Sequence, residues 1–244
     1  MRYFIEFAYK GTKYHGWQTQ PNAVSVQETL TAALNLILNT TINLVGAGRT
    51  DTGVHAKQMF AHFDFEHIIE NEHIIYKLNS YLPKDIAIVN IYKVTGNAHA
   101  RFDAIARTYQ YNINTTKNAF DSDDSYYFKQ SLNIELMNNA CSILKKYSDF
   151  ECFSKTNTDV ATFNCKIENA IWTKNGKNIC FTITADRFLR NMVRAIVGTM
   201  INIGLEKISL NDFCAIIESK NRSKAGFSAP AHGLYLTAVQ YPFL

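Results

Sequence analysis

Apolar and polar residues alternate in some segments of this chain and recur every three to four residues in others, which are the periods of a β-strand and of an amphipathic helix. The first segment, RYFIEFAYK, alternates and predicts a strand. Ser25 and Glu28 have the spacing of a capping box and predict the start of a helix. The apolar residues of that helix share one face: Val26, Leu30, Ala33, Leu34, Ile37 and Leu38.

The two halves of the chain show the same order of elements. INLV and KQMFAHFDF predict strands, residues 70–80 predict a helix that closes at Pro83, and IAIVNIY predicts a further strand. In the second half RTYQYNINT predicts a strand and residues 131–147 a helix, and Asn175-Gly176 predicts a hairpin between CKIENAIWTK and KNICFTITA. A helix from Phe188 to Ile203, a short helix after Ser209 and the strand LYLTAVQY follow.

This duplication predicts an α/β protein of the α+β type with two βαββαβ (ferredoxin-like) halves, residues 1–105 and 106–244. We expect an antiparallel or mixed sheet in each half, with the helices on one face. We also expect the sheets to join edge to edge and a central cleft to be the place for a ligand.

Composition and charge limit the possible environments. The net charge of +4 is mildly basic, which is compatible with a nucleic-acid partner without proving one. The five cysteines are irregularly spaced and contain no Cys-x-x-Cys, which favours reduced thiols over disulfides or a zinc site. The N-terminal segment contains Glu6 and lacks a cleavage site, and no apolar run is long enough for a membrane span. We therefore predict a soluble cytoplasmic protein.

The segment VGAGRTDTGVHA, residues 45–56, is the first candidate for chemistry. It lacks the lysine of a P-loop, and Asp51 occupies the third glycine position of a dinucleotide-binding motif, so both motifs are excluded. Two interpretations stay open. Asp51 and Gly53 can form a turn with a solvated Arg49, or Arg49 and Asp51 are functional.

A second candidate lies in DRFLRNMVRAIVG. On a continuous helix Arg187, Arg190 and Arg194 would fall within an arc of about 60°. Small and apolar residues border this arc, which predicts a partly covered face. A covered arginine needs an acidic partner, so we expect a carboxylate from elsewhere in the chain.

Five stretches together make the chain similar to a known family. They are YKGTKYHGWQTQP, GAGRTDTGVHA, HARFDAIARTYQY, FLRNMVRAIVG and SAPAHGLYLTAVQYP. In this order, and spread over both halves, they resemble the TruA family of tRNA pseudouridine synthases. Thr52 departs from the alanine that is usual after the aspartate. The resemblance implies the pseudouridine-synthase fold, with a continuous sheet and a central active-site cleft.

The resemblance also implies a role for four residues. Asp51 matches the catalytic aspartate, and Arg49 matches the arginine that helps hold the target nucleotide out of the helical stack. Tyr109 matches the tyrosine that stacks on the uracil, although its place in an alternating strand alone favours a core side chain. Arg194 matches the arginine that pairs with the catalytic carboxylate.

The activity implied is isomerisation of uridine to pseudouridine at positions 38–40 of the tRNA anticodon stem-loop, by base flipping and without cofactor or metal. The family resemblance further implies a homodimer and contact of Leu234 and Leu236 with the base, and the lack of a long apolar run predicts no membrane partner. Two alternatives are an RNA-recognition module, whose aromatic signature is absent, and an N-glycosidic hydrolase, which commonly uses two carboxylates. Trp17 could cap a loop or contact RNA.

Overall fold

The computed structural model describes residues 1–156 and 160–244. The chain forms two compact units, one of Met1–Ile105 with Leu236–Leu244 and one of Ala106–Tyr235. The sequence pattern assigned residues 236–244 to the second half. They belong with the first unit because their backbone is bonded there: Ile105 N–H donates to the Gln240 carbonyl at 2.9 Å.

The first unit has the βαββαβ order that its sequence predicts. Its elements are β1 (Arg2–Tyr9), α1 (Val26–Leu38), β2 (Val45–Gly46), β3 (His55–Asp64), α2 (Asn71–Tyr81) and β4 (Ile86–Val94). β1 lies between β4 and β3 and is antiparallel to both, and the short β2 pairs with β3. Ser25 caps α1, since its Oγ accepts the Glu28 N–H at 3.2 Å.

The second unit repeats the pattern with one additional short strand and one additional helix. Its elements are β5 (Ala106–Asn114), β6 (Tyr126–Tyr127), α3 (Ile134–Leu144), β7 (Ile167–Asn175), β8 (Asn178–Ala185), α4 (Met192–Gly204), α5 (Leu210–Glu218) and the start of β9 (Leu234–Gln240). β8 lies between β5 and β7 and is antiparallel to both, whereas β6 runs parallel to β5. The β7–β8 hairpin is confirmed, with Gly176 at a φ of +58°. The α/β class predicted from the sequence is therefore correct.

The start of α4 corrects the sequence prediction. A helix from Phe188 would have carried three arginines, but Asn191 has a φ of 66° in the left-handed region and α4 begins only at Met192. Arg187 and Arg190 therefore precede the helix, and the predicted arc of three arginines is wrong. Arg194 alone lies on α4.

The core of the second unit forms around α4. Trp172 stacks on Phe181 with ring centroids 4.7 Å apart, and its Nε1 donates to the Met200 sulfur at 3.2 Å. None of the five cysteines, all of which lie in the described part of the chain, forms a disulfide, and burial raises the pKa of Cys141 to about 12. None of the helices in residues 1–156 and 160–244 is long and apolar enough to cross a membrane.

His62 on β3 is a buried polar residue of the first unit. Its Nδ1 accepts the Ala100 N–H at 3.1 Å. Burial lowers the pKa of His62 to about 4, and the charges of His99 and Arg2 act in the same direction. The native fold therefore favours the neutral form of the His62 imidazole.

Lowering the pH is expected to reduce the stability of the native protein partly through this residue. An unfolded histidine titrates near pH 6.5, so the contribution of neutral His62 is complete above that pH and is lost as the pH falls towards 4. His62→Asn keeps an acceptor for the Ala100 N–H and cannot titrate. Melting temperatures at pH 7, 5.5 and 4.5 should fall more steeply for the native protein than for the variant. Parallel pH profiles would contradict this account.

Candidate active site

The segment that carries Arg49 and Asp51 connects β2 to β3 in the first unit. Asp51 and Val54 form a turn, in which Val54 N–H donates to the Asp51 carbonyl at 3.1 Å and Gly53 has a φ of +78°. Asp51 is half-buried and Arg49 is exposed. The turn interpretation is correct for the backbone, and it leaves the role of the two charged side chains open.

Residues 9–17 hold this loop on both sides of Asp51. Tyr9 is buried, and its hydroxyl shares a hydrogen bond of 2.8 Å with Thr50 Oγ1. The backbone N–H of Trp17 donates to the Thr50 carbonyl at 3.3 Å, and the backbone N–H of Gly53 donates to the Tyr14 carbonyl at the same distance. The backbone before and after the carboxylate is therefore fixed by contacts with a segment more than thirty residues away in the sequence.

Two glycines of this segment allow the backbones to approach each other closely. A Cβ on Gly16 would lie 2.4 Å from the Thr50 carbonyl oxygen, and a Cβ on Gly11 would lie 2.0 Å from the Val54 oxygen. Gly16 also has a φ of +88°, which favours glycine. A side chain at either position would clash with the backbone of the loop, which explains why glycines occur there.

The sequence left open whether Trp17 caps a loop or contacts RNA, and the position of its side chain decides between the two. Its side chain is only 3% exposed and stacks on Phe7, with ring centroids 5.4 Å apart. A Cβ on Gly46 would lie 2.5 Å from the indole ring. Trp17 therefore covers the end of β2, where the loop begins, and acts as part of the support of the loop.

Gly46→Ala is expected to lower the free energy of unfolding by about 2 kcal/mol, because the indole is held by Phe7 and cannot move away from the new methyl group. Gly48→Ala is the matched control two residues later, since a Cβ there meets nothing within 4 Å. Its effect should stay within about 0.5 kcal/mol. Urea denaturation of both variants measures the difference. Equal stabilities would show that Trp17 does not restrict Gly46.

The second unit contains the other two residues that the sequence singled out, on two different elements. Tyr109 lies on β5 opposite Ile183 and is half-buried, whereas Tyr111 on the same strand is fully buried. The Tyr109 ring meets the edge of Phe188 at 5.1 Å with an interplanar angle of 88°. Tyr109 is thus not a fully buried core residue, which the strand pattern alone favoured.

Arg194 on α4 is half-buried and exchanges two hydrogen bonds with Ala229. Its Nε donates to the Ala229 carbonyl at 2.7 Å, and the Ala229 N–H donates to the Arg194 carbonyl at 3.0 Å. The Tyr111 hydroxyl donates to the carbonyl of the next residue, Pro230, at 2.9 Å. Residues 229–230 therefore orient the guanidinium group and are also bonded to the strand that carries Tyr109.

Two glycines bring residues 226–229 against α4. A Cβ on Gly198 would lie 1.8 Å from the Phe227 carbonyl oxygen, and a Cβ on Gly226 would lie 2.7 Å from the Thr199 nitrogen. The Gly226 N–H also donates to Thr199 Oγ1 at 2.8 Å. The position of Arg194 thus depends on a close backbone contact.

The sequence did not identify Phe188 and the support residues Tyr9 and Ala229. Phe188 was assigned to a helix, whereas in the structure it lies three residues after the end of β8 and precedes α4. Tyr9 reads as an ordinary strand residue, and Ala229 contributes only backbone atoms. No group of His, Cys, Asp or Glu side chains among residues 1–156 and 160–244 is arranged to hold a metal ion.

Comparison with known proteins decides the family. A family model described as tRNA pseudouridine synthase matches residues 6–103 and 147–242, which includes both the Asp51 loop and α4. The chain belongs to the tRNA pseudouridine synthase family. Its members are isomerases, so the resemblance and the enzyme class inferred from the sequence are confirmed. Neither a pure RNA-binding module nor a hydrolase agrees with this family assignment.

Relatives of this family are similar over nearly the whole chain. The tRNA pseudouridine synthase A of Parabacteroides distasonis is 50% identical over 242 residues, covering 99% of this chain and 96% of that protein. The Bacteroides fragilis protein of the same name is 51% identical over 243 residues, with 99% and 96% covered. The Thermoanaerobacter pseudethanolicus protein is 42% identical over 244 residues, with 97% and 98% covered.

Proposed function

We propose that this protein converts uridine to pseudouridine at positions 38–40 of the tRNA anticodon stem-loop, with Asp51 as its catalytic residue. The observation that carries the proposal is the fixed backbone on both sides of Asp51, in a chain of the tRNA pseudouridine synthase family. A carboxylate on a pre-organised loop can keep a reactive geometry without losing conformational entropy during the reaction.

The proposed reaction needs one carboxylate and no cofactor. The N1–C1′ bond of uridine breaks, the uracil rotates, and C5 forms the new bond to C1′. C5 then loses its proton and N1 gains one, so that the product is an isomer of the substrate. Asp51 can attack C1′ and form an ester that C5 later displaces, or it can remove a proton from the sugar and return it when C5 bonds to C1′, and both routes use the same side chain. The detached uracil must stay in place and water must stay out, which distinguishes the isomerase from a hydrolase.

The other three residues have separate proposed roles. The base must leave the helical stack, which costs a few kcal/mol, and the exposed Arg49 beside Asp51 is suited to fill the space it leaves. Tyr109 offers a half-buried ring, braced by Phe188, on which the uracil can stack. Arg194, oriented by Ala229, would balance the charge of the catalytic carboxylate.

The proposal includes a homodimer in the cytoplasm. A net charge of +4 is small for a tRNA-binding protein, and two chains would combine their basic surfaces on one RNA. Five cysteines without a disulfide, three of them buried, agree with a reducing compartment.

Tritium release tests this function directly, because C5 must lose its hydrogen when it joins C1′. tRNA transcripts labelled with tritium at C5 of uracil are incubated with the native protein, alongside transcripts in which uridines 38–40 are replaced by cytidine. Release from the first set and none from the second is expected. Equal release from both would place the target elsewhere in the tRNA. The appearance of free uracil would indicate hydrolysis and contradict the proposal.

A further inference from the structure

The segment between β4 and β5 exposes an aromatic ring. Phe102 is 72% exposed, while Ala98 and Ala100 nearby are 2% and 0% exposed. A single exposed apolar residue needs no explanation by itself. The backbone around Phe102, however, is fixed by more bonds than a surface turn requires.

Side chains within the segment fix its local shape. Asp103 Oδ2 accepts the His99 N–H at 2.8 Å, and the Asp103 N–H donates to the His99 carbonyl at 3.0 Å. The imidazole of His99 accepts two further backbone N–H groups, those of Arg101 at 3.1 Å and of Phe102 at 3.3 Å. The backbone that carries the Phe102 side chain is thus held before any partner binds.

Other parts of the first unit anchor the same segment. Arg2 Nη1 donates to the Ala98 carbonyl at 3.0 Å, and the Tyr241 hydroxyl donates to the Ala100 carbonyl. His62 accepts the Ala100 N–H. The segment is therefore bonded to β1, to β3 and to the residues after β9.

The surroundings of the Phe102 ring favour a nucleic-acid partner. Its centroid lies 4.3 Å from that of the His99 ring, with an interplanar angle of 32°, so the two rings are in contact and tilted relative to each other. The guanidinium carbon of Arg101, also exposed, lies 5.6 Å from the Phe102 centroid. A pre-positioned aromatic ring beside a cation matches an unpaired nucleotide, because the base can stack and the phosphate is attracted to the charge.

We propose that residues 99–103 form a stacking platform on which Phe102 binds one unpaired nucleotide of the RNA substrate, outside the catalytic loop. The proposal rests on the proposed function, since it assumes that the partner is tRNA. It adds a binding contact that neither Asp51 nor Tyr109 supplies. No base specificity is implied, since every base has a π-face.

Equilibrium binding of a tRNA transcript tests the platform with three substitutions of one residue. Phe102→Ala and Phe102→Leu are expected to weaken binding by about 10-fold, because neither has a π-face. Phe102→Trp should bind within about 2-fold of the native protein, because it can stack. The Phe102→Leu variant distinguishes stacking from general apolar contact, because leucine keeps an apolar side chain but has no aromatic ring. Melting temperatures should not change, since the ring is exposed.

The F102W variant also reports the contact itself. Trp17 and Trp172 are 3% and 2% exposed, so the emission of an exposed tryptophan in this variant can be distinguished from theirs. Addition of tRNA should quench that emission if a base stacks on the ring. Tyr76→Ala is the matched control, because Tyr76 on α2 is also 72% exposed and lies outside the platform. It should bind tRNA as the native protein does.

The proposal requires both the quenching and the selective loss of affinity, and the absence of either overturns it. If native protein releases tritium but the Phe102 variants bind tRNA normally, the platform is refuted and the proposed function stands. If native protein neither binds tRNA nor releases tritium, the proposed function itself fails. Equal weakening by Tyr76→Ala would show that general surface contact, and not stacking, explains the result.

Discussion

Asp51→Asn is expected to lower tritium release from C5-labelled tRNA by about 1,000-fold or more. Asparagine has nearly the same shape, so the turn from Asp51 to Val54 and its anchors on Tyr9 and Tyr14 should persist. The amide, however, is a poor nucleophile and a poor base, so it cannot serve either route for opening the glycosidic bond. Initial rates of release, with tRNA affinity measured in parallel, show whether only the chemical step is lost.

Thr52→Ala provides the control for this variant. Thr52 is exposed and directly follows Asp51, so the change tests whether any substitution in the loop disturbs activity. Native rates are expected for Thr52→Ala. If Asp51→Asn releases tritium as fast as the native protein, Asp51 is not the catalytic residue. If it no longer binds tRNA, the residue acts in binding, and the catalytic role is again not supported.

Gly198→Ala is expected to lower the free energy of unfolding by about 3 kcal/mol and the melting temperature by about 10 °C. The new Cβ would lie 1.8 Å from the carbonyl oxygen of Phe227, which is backbone and cannot rotate away as a flexible side chain could. Residues 226–229 must then separate from α4. Because Ala229 orients the Arg194 guanidinium, tritium release at a temperature where the variant is folded should fall as well.

Gly96→Ala is the control for a glycine substitution in open space, since a Cβ at Gly96 meets nothing within 4 Å. In differential scanning calorimetry, the melting temperature of Gly198→Ala should lie below that of Gly96→Ala by most of the expected shift. A Gly198→Ala protein that melts like the native one would mean that α4 and residues 226–229 do not approach as closely as described. If Gly198→Ala is less stable but equally active, the position of the Arg194 guanidinium does not depend on the contact between α4 and residues 226–229.

Local sequence patterns predicted most of the helices and strands because their periods are strong. The start of α4 was predicted wrongly because its cause is not local. The left-handed Asn191 donates from Nδ2 to Ser228 Oγ at 2.7 Å, a partner 37 residues away. Apolar spacing from Phe188 onwards fits a helix, whereas the turn that delays the helix is accompanied by bonds to distant residues. The second of these runs from the Lys155 N–H to the Arg190 carbonyl at 3.0 Å.

The sequence predicted those residues of the candidate site whose side chains are chemically unusual for their surroundings. It did not predict the residues that support the site through long-range or backbone contacts. Two charged residues among glycines drew attention to Arg49 and Asp51. The supporting bond from Tyr9 to Thr50 spans 41 residues, and Ala229 acts only through its backbone. Neither leaves a composition signal. The roles of Asp51, Arg49, Tyr109 and Arg194 stay predictions until the variants are measured.

The division of β9 between the two units has a consequence for synthesis on the ribosome. The first unit requires Leu236–Leu244, which are made only after the 130 residues of Ala106–Tyr235. At ordinary translation speeds this is a delay on the order of 10 s. During that time the rings of Phe4 and Phe60 lack Tyr241, which packs edge-on against both in the finished protein. The unit that carries Asp51 therefore begins to emerge before the second unit but can complete its core only after Leu236–Leu244 have been made, and chaperones are most needed to protect its exposed core during this interval.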